Sequence, residues 1–280
     1  PEELTEHLQR QRIDLVELGD QKEMEMSILF SDIRGFTTMS EKMTPDENFR
    51  FINSYLKVMT PLVKYNNGFV SSFIGDAIMA LFDRKVEDAV ETAVSMMKEL
   101  RNFNRERERD GLEPINHGIG INSGKLILGT LGDEERMEAS VISNSVNVAA
   151  RLENLTKTYK VPVLLSADTV ALLDQNRFSV RKLDKVAMKG KKEETEIWEL
   201  LDAYGEDLLF VKQRNLPMWR KAMDLYEEGD HETAGTYFSG IHVEDPTDFP
   251  AAVYADKCKD RRKNPDRRSE FRLPTFDSYG

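Results

Sequence analysis

The chain has 280 residues, with 39 Lys and Arg against 50 Asp and Glu, a formal net charge of −11. That balance argues against nucleic acid as a partner, since a nucleic-acid binder carries a basic footprint, and 40% hydrophobic with 32% charged residues reads as globular rather than disordered. No apolar run approaches the ~20 residues that a membrane span needs, and the single cysteine, Cys258, excludes an intrachain disulfide and suits a reducing, cytoplasmic setting or the cytosolic part of a longer protein.

Residues 1–22 read as a helix. Leu4, Leu8, Gln11, Leu15 and Leu18 form a short heptad seam, compatible with a parallel coiled coil or with a surface helix packed on its own domain. A linker or coiled-coil segment is therefore expected over residues 1–23. Ser27–Ser31 is an apolar strand. Thr44–Asn66 is a helix with Pro45 near its start and Phe49, Ile52, Tyr55, Leu56 and Met59 at helical spacing. Gly68–Phe82 reads as two strands around a turn at Ile74–Gly75–Asp76. Val86–Glu106 is helical and runs into a solvated charged end, Arg105–Asp110. Asn116–Leu131 reads as strand–turn–strand. Val141–Thr156 opens as a strand and becomes a helix. Val161–Leu165 is a strand, Ala167–Leu173 a helix, and Phe178–Leu201 two strands around Lys189–Gly190–Lys191. Strands interleaved with helices predict a mixed α/β domain over residues 24–203.

Residues 204–260 change to helical patterns at Leu216–Glu228, His231–Ile241 and Phe249–Lys259, broken at Gly229–Asp230 and Asp245–Pro246. The run Trp219, Ala222, Leu225, Tyr226, Gly229, Ala234, Phe238, Pro246 resembles one tetratricopeptide-type hairpin. A single repeat cannot bury its own face, so it must pack on the main domain or on a partner. Residues 261–280 form a polar tail.

Two carboxylates stand in apolar surroundings. Asp32 follows the strand ending at Ser31, and Asp76 sits in a turn between two apolar segments. Acids there are expensive to bury unless paired or metal-bound. If the two strands are neighbours, the carboxylates converge and suit Mg²⁺ or Mn²⁺. A helix N-cap at Asp32 and a turn residue at Asp76 account for the same pattern. Asn147 and Arg151, at i and i+4, share a helix face that can hold a ribose and a phosphoryl oxygen. Taken alone, that pair is better explained as an exposed face with Arg151 ion-paired. Gly118–Gly124 is a glycine-rich turn that matches no dinucleotide fingerprint, and Lys125 does not complete a P-loop. Four histidines and one cysteine have no zinc-site spacing.

In this order the motifs resemble the class III nucleotide cyclase catalytic domain. They are Phe30-Ser31-Asp32-Ile33-Arg34-Gly35-Phe36-Thr37, Phe73-Ile74-Gly75-Asp76, the stretch Asn116–Gly129, Val146-Asn147-Val148-Ala149-Ala150-Arg151-Leu152-Glu153, and Lys189-Gly190-Lys191. The resemblance covers about residues 24–201. It implies an α/β (α+β), ferredoxin-like core with an N-terminal helix and a C-terminal helical hairpin, working as a head-to-tail homodimer with sites at the interface. One protomer would supply Asp32, the Ile33 carbonyl and Asp76 to two metal ions, Mg²⁺ or Mn²⁺. The other would supply Asn147, Arg151 and Lys189. Gly35, Phe36 and Thr37 would offer backbone N–H groups to phosphate, and Lys125 would face the terminal phosphates. The implied reaction is ATP to 3′,5′-cyclic AMP and pyrophosphate.

The resemblance departs at the base-reading positions. Adenylate cyclases commonly carry Lys, and guanylate cyclases Glu, where this chain has Ser72. The partner position is Ser140. Serine can donate or accept, so it suits either purine edge. A Gly-Asp pair usual before the catalytic Asn is here Ser143-Asn144. A guanylate cyclase, or a regulatory pseudocyclase that binds nucleotide without turnover, is the alternative. The helix at 1–22 resembles the linker joining such domains to an upstream sensor.

Overall fold

Apolar residues on both parities of Met26–Ile33 suit a strand buried on two faces. In the computed structural model, which describes residues 21–132, 137–187 and 194–263, this is β1 (Gln21–Ile33). Leu29 and Ile33 enter one core, Ile28 and Phe30 another. The helix expected over residues 1–22 lies outside the described residues as far as residue 20. Gln21 and Lys22 are already strand, opposite Gly129 and Leu128.

The short helix α1 (Phe36–Ser40) follows, then α2 (Pro45–Tyr65). The bounds of α2 agree with the sequence reading because its signals are local: Pro45 at the first position, and Thr44 and Glu47 in a reciprocal capping box. β2 (Phe69–Ile74) and β3 (Ala77–Phe82) form the expected hairpin, and α3 (Val86–Arg109) absorbs the charged run as its last turns. β4 (His117–Gly132) departs from expectation, being one strand of 16 residues with no turn. β5 (Met137–Ile142) returns alongside it, and α4 (Asn144–Tyr159) comes next. β6 (Val163–Ser166), α5 (Ala167–Leu172), β7 (Val180–Ala187) and β8 (Glu194–Leu200) complete the sheet.

The sheet order is β2-β3-β1-β4-β6-β8-β7, with β5 on the far part of β4. The β4–β6 pairing is parallel; the other pairings are antiparallel. The helices α2 and α3 cover one face, burying Tyr55, Met59, Val63, Ala93 and Met96 against Leu29, Ile78 and Ile121. The helix α4 lies on the other face. It comes close because the face of β4 beneath it is Gly118, Gly120, Asn122 and Gly124. A Cβ on Gly120 would run into the Ala149 carbonyl and the Glu153 backbone N–H. The glycines read as a turn in the sequence are therefore a packing surface, spaced at the strand period of two.

Beyond α4, the same face is covered by α6 (Glu206–Glu228), α7 (His231–Glu244) and α8 (Phe249–Lys263). The first starts ten residues before the expected Leu216 and carries Pro217 inside it. Trp219, Phe238 and Tyr254 pack edge-on or stacked among themselves and share a core with Leu164, Leu183 and Ile197 of the sheet. The hairpin face that one repeat leaves bare is thus covered by this chain's own sheet.

A buried ionic network ties the layers. Arg181 on β7 donates Nε to Glu199 on β8 at 2.6 Å and makes a two-pronged contact with Asp248, at 2.7 and 2.9 Å. Lys212 on α6 reaches Asp248 at 3.0 Å and Asp245 at 3.1 Å, and the Tyr204 hydroxyl donates to Glu199. Burial alone would raise the Asp248 carboxyl, yet Arg181 and Lys212 hold it down at about 2. Such a network stabilises only while complete. Arg181→Met strands Glu199 and Asp248 with a partial set of partners. It is expected to cost about 3–5 kcal/mol, read as a lower urea midpoint.

Candidate active site

Three local features build the site. Asp32 is the penultimate residue of β1, and Asp76 follows the left-handed Gly75 (φ 64°) at the β2–β3 turn. Because β1 pairs with β3 in the register Ser31↔Ile78, the two carboxylates meet at one end of the sheet. The Ile33 N–H donates to Asp76 Oδ2 at 3.1 Å. Burial, then the neighbouring Asp32 carboxylate, push Asp76 up to about 7. Beneath them runs a buried polar chain: Ser31 Oγ to the Tyr55 hydroxyl, 3.4 Å, and that hydroxyl to His117 Nδ1, 2.8 Å. Burial, with Arg34 nearby, lowers His117 to about 3, so the imidazole is neutral at ordinary pH.

A third feature, unforeseen in the sequence, is Lys157. Its Nζ lies 3.0 Å from Asp32 Oδ2 and 3.7 Å from Glu153 Oε1. Glu153 is itself buried and pushed up to about 7 by that burial, against the pull of Lys157. The available signal was its i, i+4 spacing to Glu153 on α4.

The structure brings together Asp32, Ile33 and Asp76. It places Asn147 and Arg151 elsewhere. Both are exposed on α4, on the side away from buried Val148 and Leu152. Asn147 lies ten residues from Lys157, roughly 15 Å along the axis. Lys125 is at that same far end, paired with Glu23 at 2.8 Å. Gly35 (φ 68°) is the N-cap of α1, Phe36 stacks on Phe51, and Thr37 is exposed. Ser72 lies on β2 opposite Met79, just past a bulge, and Ser140 on β5 opposite Gly129. Lys189 falls outside the described residues. Ser143 is the N-cap of α4: its Oγ accepts from Ser145 N and donates to the Lys125 carbonyl at 2.6 Å. The unusual Ser143-Asn144 pair thus caps the helix that presents Asn147.

Two acids at one end of the sheet offer an all-oxygen donor set with excess negative charge, which suits a hard divalent cation. The Asp32 charge adds to the larger effect of burial in raising Asp76 to about 7. Among the described residues no cluster of three or more acidic, histidine or cysteine side chains forms a metal site, so a cation here would rest on the two carboxylates and backbone or substrate oxygens.

The sequence profile of the adenylate and guanylate cyclase catalytic domain matches residues 18–201. The chain belongs to this family. It is 44% identical to an adenylate cyclase of Anabaena cylindrica over 68% of this chain and 39% of that protein. It is 37% identical to the terminal-differentiation-specific adenylate cyclase of Dictyostelium discoideum over 87% of this chain and 12% of that one. Coverage of 87% must run past Leu201 into the C-terminal helices, whichever end it starts from. The chain spans well under half the length of these two relatives. Among solved structures, the guanylyl cyclase Cya2 aligns with a TM-score of 0.58 and 32% identity over 68% of this chain and 96% of that one. The mixed α/β cyclase fold implied by the motifs is the fold observed. No helix among the described residues is long and apolar enough to cross a membrane.

The cyclase domain keeps two like charges together at a cost in stability. A carboxyl raised from 3.8 in the unfolded chain to about 7 in the folded one binds its proton more tightly when folded. Its contribution to stability is therefore present below pH 3.8 and lost as pH rises towards 7. Asp76→Asn keeps an oxygen for the Ile33 N–H and removes the repulsion. In metal-free buffer at pH 8 it is expected to stabilise the protein by about 1 kcal/mol, discounted for the half-exposed site, and to change little at pH 5. Thermal melts at the two pH values read this difference.

Proposed function

We propose that this chain is the catalytic part of an adenylate cyclase that converts ATP to 3′,5′-cyclic AMP and pyrophosphate in a homodimer with shared sites. One observation carries the reading. Asp32 meets Lys157 near the C-terminal end of α4, while Asn147 in its first turn and Arg151 at its middle are exposed, roughly 15 and 9 Å back along the axis, so one chain would hold two separate half-sites. A head-to-tail pair of copies would join each half to its complement, giving two sites.

In that arrangement Asp32, the Ile33 carbonyl and Asp76 would hold Mg²⁺ or Mn²⁺, two per site, which supply Lewis-acid activation of the ribose 3′-hydroxyl and charge neutralisation on the leaving pyrophosphate. The 3′-oxygen attacks the α-phosphorus, its proton passes to solvent, and the bond from the α-phosphorus to the β-phosphate oxygen breaks. Arg151 would stabilise the charge that grows on the α-phosphoryl oxygens, and Asn147 would orient the ribose. Lys125, Lys189 and the backbone of Gly35, Phe36 and Thr37 would receive the outer phosphates. Ser72 and Ser140 would face the base. The absence of Glu at position 72 and two relatives named adenylate cyclases favour ATP. The likeness to Cya2 and a serine able to serve either purine favour GTP as the second reading. The cytosol is the setting that suits this substrate, with a sensor upstream as the source of control.

Purified protein with ATP, and separately with GTP, in Mg²⁺ and in Mn²⁺, is expected to form cyclic AMP in preference to cyclic GMP. Arg151→Ala alone should lose about 10²–10³-fold in turnover, and Asp76→Ala should be inactive. Mixed together, these two inactive variants are expected to regain activity, because half the sites of a heterodimer carry neither lesion. Failure of the mixture to recover, in dimeric samples, would exclude shared sites. Cyclic GMP as the main product would reverse the substrate.

A further inference from the structure

The contact between Lys157 and Asp32 is unusual in direction. A residue expected to hold a cation already has one, supplied by the same chain across 125 positions of sequence. The ammonium is half-exposed, at 42%, so its head can move. A second acceptor stands beside it. Glu153 Oε1 is 3.7 Å away, is buried, and has no hydrogen-bond donor among the described residues. Glu153 and Lys157 share one face of α4 at i, i+4. A shift of less than an ångström would carry Nζ from hydrogen-bonding distance of Asp32 to that of Glu153. Nearby Arg34 is already engaged, donating Nη2 to the Val161 carbonyl at 2.6 Å.

We propose that Lys157 is the built-in counter-ion of the carboxylate pair, holding Asp32 until a divalent cation arrives and then passing to Glu153. It is a positioning residue: it acts through Asp32 and need not touch the substrate. The inference rests on the reading that Asp32 and Asp76 hold the cation. Two consequences follow from the geometry. Lys157 competes with the incoming ion for one carboxylate oxygen, so it weakens metal affinity. Glu153 offers the ammonium its alternative, so it strengthens metal affinity. The two neighbours on one helix face therefore act with opposite sign.

The test is Mn²⁺ binding to the full, nucleotide-free chain, followed by the electron paramagnetic resonance signal of free Mn²⁺. Lys157→Met is expected to bind Mn²⁺ roughly fivefold tighter, the scale of one half-exposed ion pair. Lys157→Arg, which keeps a cation, should stay near the parent value. Glu153→Gln should bind more weakly. Lys160→Met makes the same change in net charge just beyond the end of α4, where Lys160 sits over the Phe249 ring and away from Asp32; it should bind as the parent does. The metal concentration giving half-maximal turnover should fall in Lys157→Met by the same factor as the binding constant. Unchanged affinity in Lys157→Met, with binding lost in Asp32→Asn, would overturn the counter-ion role and leave the metal reading standing. Equal tightening in Lys160→Met would overturn it as a general charge effect. Parent-like binding in Asp32→Asn would overturn both. Should Lys157→Met fold poorly, Glu153→Gln and Lys157→Gln give the same pair of opposite signs.

Discussion

The close approach of α4 to β4 is the constraint on which the rest depends. Gly118, Gly120 and Gly124 remove side chains from one face of the strand, and the helix backbone settles there. Asn122 Nδ2 and the Lys125 carbonyl then fix its first turn through Ser145 and Ser143. With the axis fixed, the helix delivers one group near its C-terminal end and two along its N-terminal half. Lys157 arrives at Asp32, and Asn147 and Arg151 stand clear of the surface. A side chain at position 120 would meet the helix backbone and displace both sets together.

The molecule treats buried charge in two ways. Around Arg181 every carboxylate has cationic or hydroxyl partners, and the result fastens the C-terminal helices to the sheet. Around Asp32 and Asp76 the balance is left incomplete: two acids share a single half-exposed ammonium and a backbone N–H. The first arrangement is buried and paired internally. The second is partly exposed, and burial with the neighbouring Asp32 charge raises Asp76. An under-neutralised pair of acids lowers stability and is chemically suited to a hard divalent cation. The docked helices, by contrast, make α6 to α8 part of the same folded body as the sheet, which fits the span of the Dictyostelium relative's match.

Much of this was legible in sequence, and unevenly so. Elements with local signals were read closely: α2 from its proline and capping box, and the β2–β3 hairpin from Gly75-Asp76. The convergence of Asp32 and Asp76 followed from pairing two apolar strands. The strand β4 was misread because glycine has two physical uses. Gly118 and Gly120 suggest a turn when only backbone freedom is considered, but neither has a positive φ, and their function is to admit a helix. Spacing of two, rather than clustering, was the discriminating sign. Lys157 was missed because its partner Asp32 lies 125 positions away, and its i, i+4 spacing to Glu153 is a mark that any exposed helix pair shares. The start of α6 was placed too late, at Leu216; the helix begins at Glu206 and continues through Pro217.

The substrate question turns on the same distinction between local and distant constraints. Ser72 sits on an edge strand beside a bulge, and Ser140 on a strand that pairs only with the outer part of β4. Both belong to strands at the periphery of the sheet. Asp32 and Asp76 are held by the register of the β1–β3 pair, whereas Asn147 and Arg151 stand on the exposed face of α4. A chain under no demand for turnover would have little reason to retain a destabilising pair of acids together with an exposed Asn and Arg that contribute nothing to its own core. That all four persist, while the two serines vary from the usual residues, is what a working phosphoryl-transfer site with a re-tuned base pocket would look like. On the proposed reading, the positions that would face the base lie on peripheral strands, and the acids that would hold the cation lie at the end of the β1–β3 pair.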